Sequence, residues 1–85
     1  MRFLHWDIQA GPENVVRVEL DHAANVILLD DINFSAFRRG SRYRCFGGYY
    51  EKTPVRIVPP HEGSWHVVVH FGAYTGSVNA SMSLN

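Results

Sequence analysis

The chain has 85 residues, 46% of them apolar, and its eight basic and eight acidic side chains cancel at neutral pH. A chain of this length forms one domain, residues 1–85, and the balanced charge makes nucleic acid an unlikely partner. No apolar run approaches the roughly 20 residues that span a bilayer, and the acid at position 7 interrupts any signal sequence, so we expect a cytoplasmic protein without membrane contact.

The first third of the chain alternates between apolar and polar residues with a period of two, which is typical of half-buried strands. We predict strands over residues 2–8, 15–20 and 25–30. The run Val26-Ile27-Leu28-Leu29 in the third strand is apolar on both faces. This strand is therefore expected to be central and covered on both sides.

Residues 31–38 depart from the strand pattern and predict one short helical insertion. Asp30 or Asp31 suits its N-cap, and Gly40 suits its C-terminal cap. About two turns of helix are not stable alone, so the helix must lean on the sheet. The residues predicted to face inward are Ile32, Phe34 and Phe37.

The second half of the chain predicts strands over residues 42–46, 49–52, 54–58, 65–71 and 77–84. Gly47-Gly48 predicts a bulge or turn, the proline at the start of 54–58 predicts an edge strand, and residues 72–76 predict a hairpin loop. The pattern as a whole indicates a single antiparallel β-sandwich, or a small barrel, of about seven to eight short strands. The core is predicted to contain Leu4, Trp6, Val16, Val18, Leu28, Trp65, Val67, Val69, Val78 and Ala80.

Two histidines share the polar face of the long strand at 65–71. His66 and His70 are four residues apart, which is roughly 13 Å in a strand and too far for one ion. A metal would need His5, His22 or His61 from a neighbouring strand, and no acid stands beside these histidines at metal-ligand spacing. We therefore predict half-exposed histidines, no bound metal and no cofactor.

Four arginines within seven residues, Arg38-Arg39-Gly40-Ser41-Arg42-Tyr43-Arg44, form the strongest local charge feature. One interpretation is a solvated surface, salt-bridged to Asp30, Asp31, Glu51 or Glu62. The other is an anion or nucleotide site, because arginine forks suit phosphate and an aromatic ring stacks on a base. The residues predicted for such a site are Arg38, Arg42, Arg44 and Tyr43, and further exposed candidates are Asp31 and Asn33.

The sequence shows no catalytic constellation, so we predict that the protein is not an enzyme and has no catalytic residue. Cys45 is the only cysteine, and its alternation with Tyr43 predicts a small core residue. The sequence contains no serine elbow, no glycine-rich phosphate loop before a helix and no pair of acids at a plausible catalytic spacing. The leading hypothesis is a non-enzymatic binding or interaction module with an unidentified protein partner or a second copy of itself. Its exposed aromatic candidates are Phe46, Tyr49, Tyr50 and Tyr74. The alternative is a small-ligand sensor that uses the arginine run.

Several separate segments resemble the bacterial domain-of-unknown-function family DUF1883. They are Leu-Leu-Asp-Asp-Ile-Asn-Phe at 28–34, Phe-Arg-Arg-Gly at 37–40, Gly-Gly at 47–48, Pro-Val-Arg-Ile-Val-Pro-Pro-His at 54–61, Gly-Ser-Trp-His-Val-Val-Val at 63–69 and Gly-Ser-Val-Asn-Ala-Ser at 76–81. The resemblance implies a standalone bacterial β domain, sometimes found beside signalling domains such as TIR. It implies no activity, cofactor or catalytic residue.

Overall fold

Two antiparallel sheets packed face to face, with one helix on the outside, make up the domain in a computed structural model that describes residues 3–71 and 78–85. The alternation of apolar and polar residues produces this arrangement, because each sheet must bury one face. The elements are β1 (Phe3–Ala10), β2 (Val16–Leu20), β3 (Ala24–Leu29), α1 (Asp31–Arg39), β4 (Phe46–Tyr50), β5 (Val55–Ile57), β6 (Gly63–His70) and β7 (Ala80–Leu84). The predicted sandwich with one short helix is confirmed.

The strand order is β1-β6-β3-β4 in the larger sheet and β5-β2-β7 in the smaller one. β6 therefore lies in the middle of the larger sheet, between β1 and β3, while β7 pairs with β2 in the other sheet. The predicted hairpin at 72–76 is wrong, because β6 and β7 are in different sheets. The loop residues themselves lie outside the described part of the chain.

The main core fills the space between the two sheets. Six of the predicted core residues are buried there, and these are Val16, Val18, Leu28, Trp65, Val67 and Val69. Trp6, Val78 and Ala80 are half-buried and pack against this core. Leu4 is wrong as a core residue, since its exposed fraction is 36%. It stands opposite the buried Val69, but it lies near the start of β1, which is an edge strand of the larger sheet.

The helix begins and ends as its capping residues predict. Asp30 is the N-cap, and its Oδ1 accepts a hydrogen bond from the Asn33 backbone N–H at 2.8 Å. Gly40 ends the helix in the left-handed region at φ 75°, which costs glycine little. Ile32 was predicted to face inward and is 81% exposed. The helical period places it on the side opposite Phe34, which faces the sheet.

A second, smaller core lies between this helix and the outer face of the larger sheet. It contains Ile27, Leu29, Phe34, Phe37 and Val68. β3 is thus covered by the second sheet on one face and by α1 on the other. The prediction of a central strand from its continuous apolar run is confirmed.

β4 differs most from the prediction. The strand begins at Phe46 rather than at residue 42, and Gly47 lies inside it with φ 103°. Residues 41–45 form no strand, so Cys45 is exposed and the prediction of a small core residue is wrong. β5 is an edge strand of the smaller sheet, as its proline predicted.

Candidate functional site

A cluster of two histidines and one aspartate lies on the outer face of β1 and β6. Asp7 stands opposite His66 in the antiparallel register, and His5 precedes Asp7 on the same face of β1. His66 Nδ1 lies 2.8 Å from both His5 Nε2 and Asp7 Oδ1. The third side of this triangle, His5 Nε2 to Asp7 Oδ1, is 3.2 Å. Three atoms of types that can ligate a metal therefore lie within 3.2 Å of one another.

The helix supplies two further groups to this cluster. Asp31, the first residue of α1, places Oδ1 2.6 Å from His66 Nε2. The ring of Phe34, one turn further on, stacks on His5 and on His66 with centroid distances of 4.2 Å. The imidazoles are therefore held parallel between the sheet and the helix.

Solvation differs across the cluster. The His66 side chain is only 13% exposed, whereas the Asp7 side chain is 75% exposed. Desolvation by burial lowers the pKa of His5, and the nearby Asp7 carboxylate opposes part of that effect. His5 is therefore neutral at physiological pH, which leaves one ring nitrogen free of a proton.

The sequence allowed His5 to reach His66 from a neighbouring strand, but nothing in it fixes that β1 pairs with β6 or in which register. His70 is 8% exposed and packs against Phe37, so the prediction of a half-exposed side chain is wrong for it. The prediction that no acid stands beside the histidines at metal-ligand spacing is also wrong, because Asp7 contacts both His5 and His66. His5-Trp6-Asp7 is that signal, since residues two apart share a face of a strand.

Free energy of unfolding is expected to fall as the pH is lowered through about 6.5, because burial lowers the pKa of both His5 and His70. Below the ordinary value of 6.5, the unfolded chain binds protons that the folded protein does not yet bind. Urea unfolding at about pH 7.5 and about pH 5.5 measures the loss. His70→Gln should reduce the difference in free energy of unfolding between the two pH values. The same change at the exposed His22 should leave that difference as it is in the unmodified protein. Equal stability at both pH values would contradict this prediction.

The arginine run divides between two surroundings. Arg38 lies over the Phe34 ring at 5.9 Å, beside the histidine cluster, whereas Arg44 faces a cavity near the start of β4. Within residues 3–71 and 78–85, no ion pair engages an arginine of this run. The suggested salt bridges to Asp30 and Asp31 do not form, since these carboxylates bind Asn33 and His66 instead. The arginines are thus exposed cations.

The cavity beside Arg44 has a volume of about 480 Å³. The rings of Phe46, His61 and Trp65 contribute to its walls. Trp65 donates its indole N–H to the His61 carbonyl at 3.1 Å and meets the Phe46 ring edge-on at 6.0 Å. An arginine beside aromatic walls suits an acidic or planar group.

Other predicted site residues have structural roles or no contact with a common site. Asn33 accepts the Arg44 backbone N–H at 2.7 Å, which ties the arginine run to the first turn of α1. Tyr43 is 39% exposed and meets Phe37 edge-on, and Arg42 is exposed. Desolvation raises the pKa of the Cys45 thiol, so it is a poor nucleophile at neutral pH.

Over residues 3–71 and 78–85, the architecture is that of a small two-sheet β domain with one helix covering an outer face. The family model DUF1883, a domain of unknown function, matches residues 1–85 of this chain. The chain therefore belongs to DUF1883, and the resemblance noted from its motifs is confirmed. Neither the comparison with curated proteins nor that with solved structures gives a match. No helix in the described part of the chain is long and apolar enough to cross a membrane.

Proposed function

We propose that this DUF1883 domain is a non-enzymatic interaction module that binds an extended, acidic segment of a partner protein along β4. One observation carries the proposal: in the described part of the chain, the arginines just before β4 form no ion pair with an acid, and they lead directly into an exposed edge strand. We place this function in the bacterial cytoplasm, where the single exposed thiol of Cys45 stays reduced.

The edge of the larger sheet supplies the docking geometry. The sheet order ends at β4, which pairs through one side with β3. An edge strand presents unpaired backbone groups, so an extended segment can add to the sheet through main-chain hydrogen bonds. Phe46 and Tyr49 are 47% and 61% exposed on this strand. Large exposed aromatic residues at a docking edge are typical binding anchors.

Charge and shape indicate which segment fits. Arg42 and Arg44 lie just before β4, so acidic residues of the partner would meet them as the segment extends past Phe46. The cavity beside Arg44 and Phe46 has room for one large side chain of that segment. Overall neutrality of the domain does not oppose this, since complementarity acts over about 10 Å or less at physiological salt.

Selection from a random peptide library on the purified domain tests the proposal. We expect the selected peptides to be rich in Asp and Glu, and their affinity, measured by fluorescence anisotropy, to fall with rising salt. Arg44→Ala and Phe46→Ala should each weaken binding by about fivefold or more. Arg56→Ala is the matched control, because Arg56 is exposed on β5 in the other sheet.

Three results would count against this function. If the selected peptides lack acidic residues, the arginines do not determine which segment binds. If Arg44→Ala and Arg56→Ala reduce peptide affinity equally, the peptide does not bind along β4. Concentration-dependent dimerisation that is abolished by a Tyr49→Lys change would show that β4 pairs with a second copy of the chain rather than with another protein.

A small anion or nucleotide in the cavity is the second candidate, favoured by the position of Arg44 among aromatic walls. This version of the sensor hypothesis needs Arg44 rather than Arg42, because Arg44 is the only described arginine that lines the cavity. A thermal-shift screen with phosphates and nucleotides separates it from the peptide hypothesis. A rise in melting temperature that Arg44→Ala removes and Arg42→Ala retains would support the small ligand.

A further inference from the structure

We propose that His5, Asp7 and His66 bind one divalent transition-metal ion, and that zinc suits this ligand set best. The proposal rests on these three side chains alone and does not depend on the partner proposed for β4. Imidazole nitrogens and carboxylate oxygens are ligands that zinc takes in proteins. The three ligand atoms lie within 4.8 Å of one another.

The distances fit a shared ion. Ligand atoms around tetrahedral zinc, with bonds of about 2.0–2.1 Å, are about 3.3 Å apart. The three separations are 2.8, 2.8 and 3.2 Å. Small side-chain rotations open the triangle enough, and the exposed Asp7 carboxylate is free to make the largest of them.

The orientation of the ligand atoms favours a cation at the centre of the triangle. His66 Nε2 lies 2.6 Å from the Asp31 carboxylate, so Nδ1 is the ring nitrogen that faces His5 Nε2 and Asp7 Oδ1. Imidazole nitrogens and carboxylate oxygens bind metal ions through lone pairs, so one cation between these three atoms would contact all of them. The carboxylates of Asp7 and Asp31 would balance its charge.

The surroundings have the features of a metal centre. A carboxylate that accepts the second N–H of a ligating histidine fixes its tautomer and raises its basicity, and Asp31 occupies that position. The Phe34 ring holds both imidazoles from the side of the helix. A cleft of about 190 Å³ borders Asp7 and Ser64 and leaves room for a fourth ligand such as water.

Titration of tag-free, chelator-treated protein with Co²⁺ and with Zn²⁺ tests the site. We expect about one equivalent of each ion to bind, with visible d–d absorption from bound Co²⁺. His66→Ala and Asp7→Asn should each weaken binding by about 100-fold or more, and Asp31→Asn, which alters only the positioning of His66, by about 10–100-fold. His22→Ala, at an exposed histidine away from the cluster, should bind as the unmodified protein does.

The Asp7→Asn variant keeps the test independent of folding, because Asp7 is exposed and its loss leaves both cores intact. Circular dichroism of each variant verifies the fold. The proposal is overturned if neither ion binds the unmodified protein at neutral pH. Equal affinity in the unmodified protein and in folded Asp7→Asn or His66→Ala, or a loss in His22→Ala as large as in these variants, would overturn it too.

Discussion

Replacing Trp65 with alanine is expected to lower the free energy of unfolding by about 3–5 kcal/mol. Trp65 is 2% exposed in the main core, on the strand that lies between β1 and β3. The truncation leaves a cavity that the two sheets cannot close, and it removes the indole N–H bond to the His61 carbonyl. For a domain of this size, such a loss is a large part of the total stability.

Urea or thermal unfolding measures this effect, and Trp6→Ala is the matched control. Trp6 is the only other tryptophan, and it is half-buried on the edge strand β1. The same substitution there should therefore cost less. A Trp65 variant that melts within a few degrees of the unmodified protein, or a larger loss at Trp6, would show that this core is placed incorrectly.

Gly47→Ala is expected to destabilise the protein by about 2–4 kcal/mol. A Cβ at this position would lie 2.3 Å from the Val26 carbonyl oxygen and 3.1 Å from Ile57 Cδ1. Its φ of 103° is also a conformation that residues with a side chain rarely adopt. The backbone of β4 must therefore shift away from β3, which weakens the edge of the larger sheet.

Gly48→Ala provides a control in the adjacent position. A Cβ on Gly48 would meet no heavy atom within 4 Å, so we expect a change of about 0.5 kcal/mol or less. Equilibrium unfolding of the two variants gives the comparison directly. Similar stabilities for both would contradict the close approach of Gly47 to β3.

The proposed metal site lies on β1 and β6, and the proposed docking edge is β4, at the other end of the larger sheet. Residues in the first turn of α1 contact both sites. Asp31 contacts His66 of the metal cluster, and Asn33 binds the Arg44 backbone beside the cavity. Both residues were exposed candidates in the sequence, where nothing distinguished their roles. The N-cap at Asp30 fixes this first turn, and its displacement would disturb both proposed sites.

Strand type, strand facing and helix capping could all be predicted from the sequence because each depends on neighbours in the chain. The period of two in β6 identified Trp65, Val67 and Val69 as core residues, and the apolar run of β3 identified a strand covered on both faces. Asp30 and Gly40 marked the helix ends, since caps act on backbone groups within one turn. The family could also be identified from the sequence, because its motifs are short contiguous segments of the chain.

The tertiary structure alone decided which strands pair and which polar groups meet. β4 begins at Phe46 because that residue pairs with Leu28, near the end of β3, and β7 pairs with β2 because of the order of strands in the two sheets. His5 and His66 are 61 residues apart, yet antiparallel pairing of β1 with β6 brings their ring nitrogens to 2.8 Å. Such register is set by the packing of whole sheets and helix, because only the assembled core determines which residues stand opposite one another.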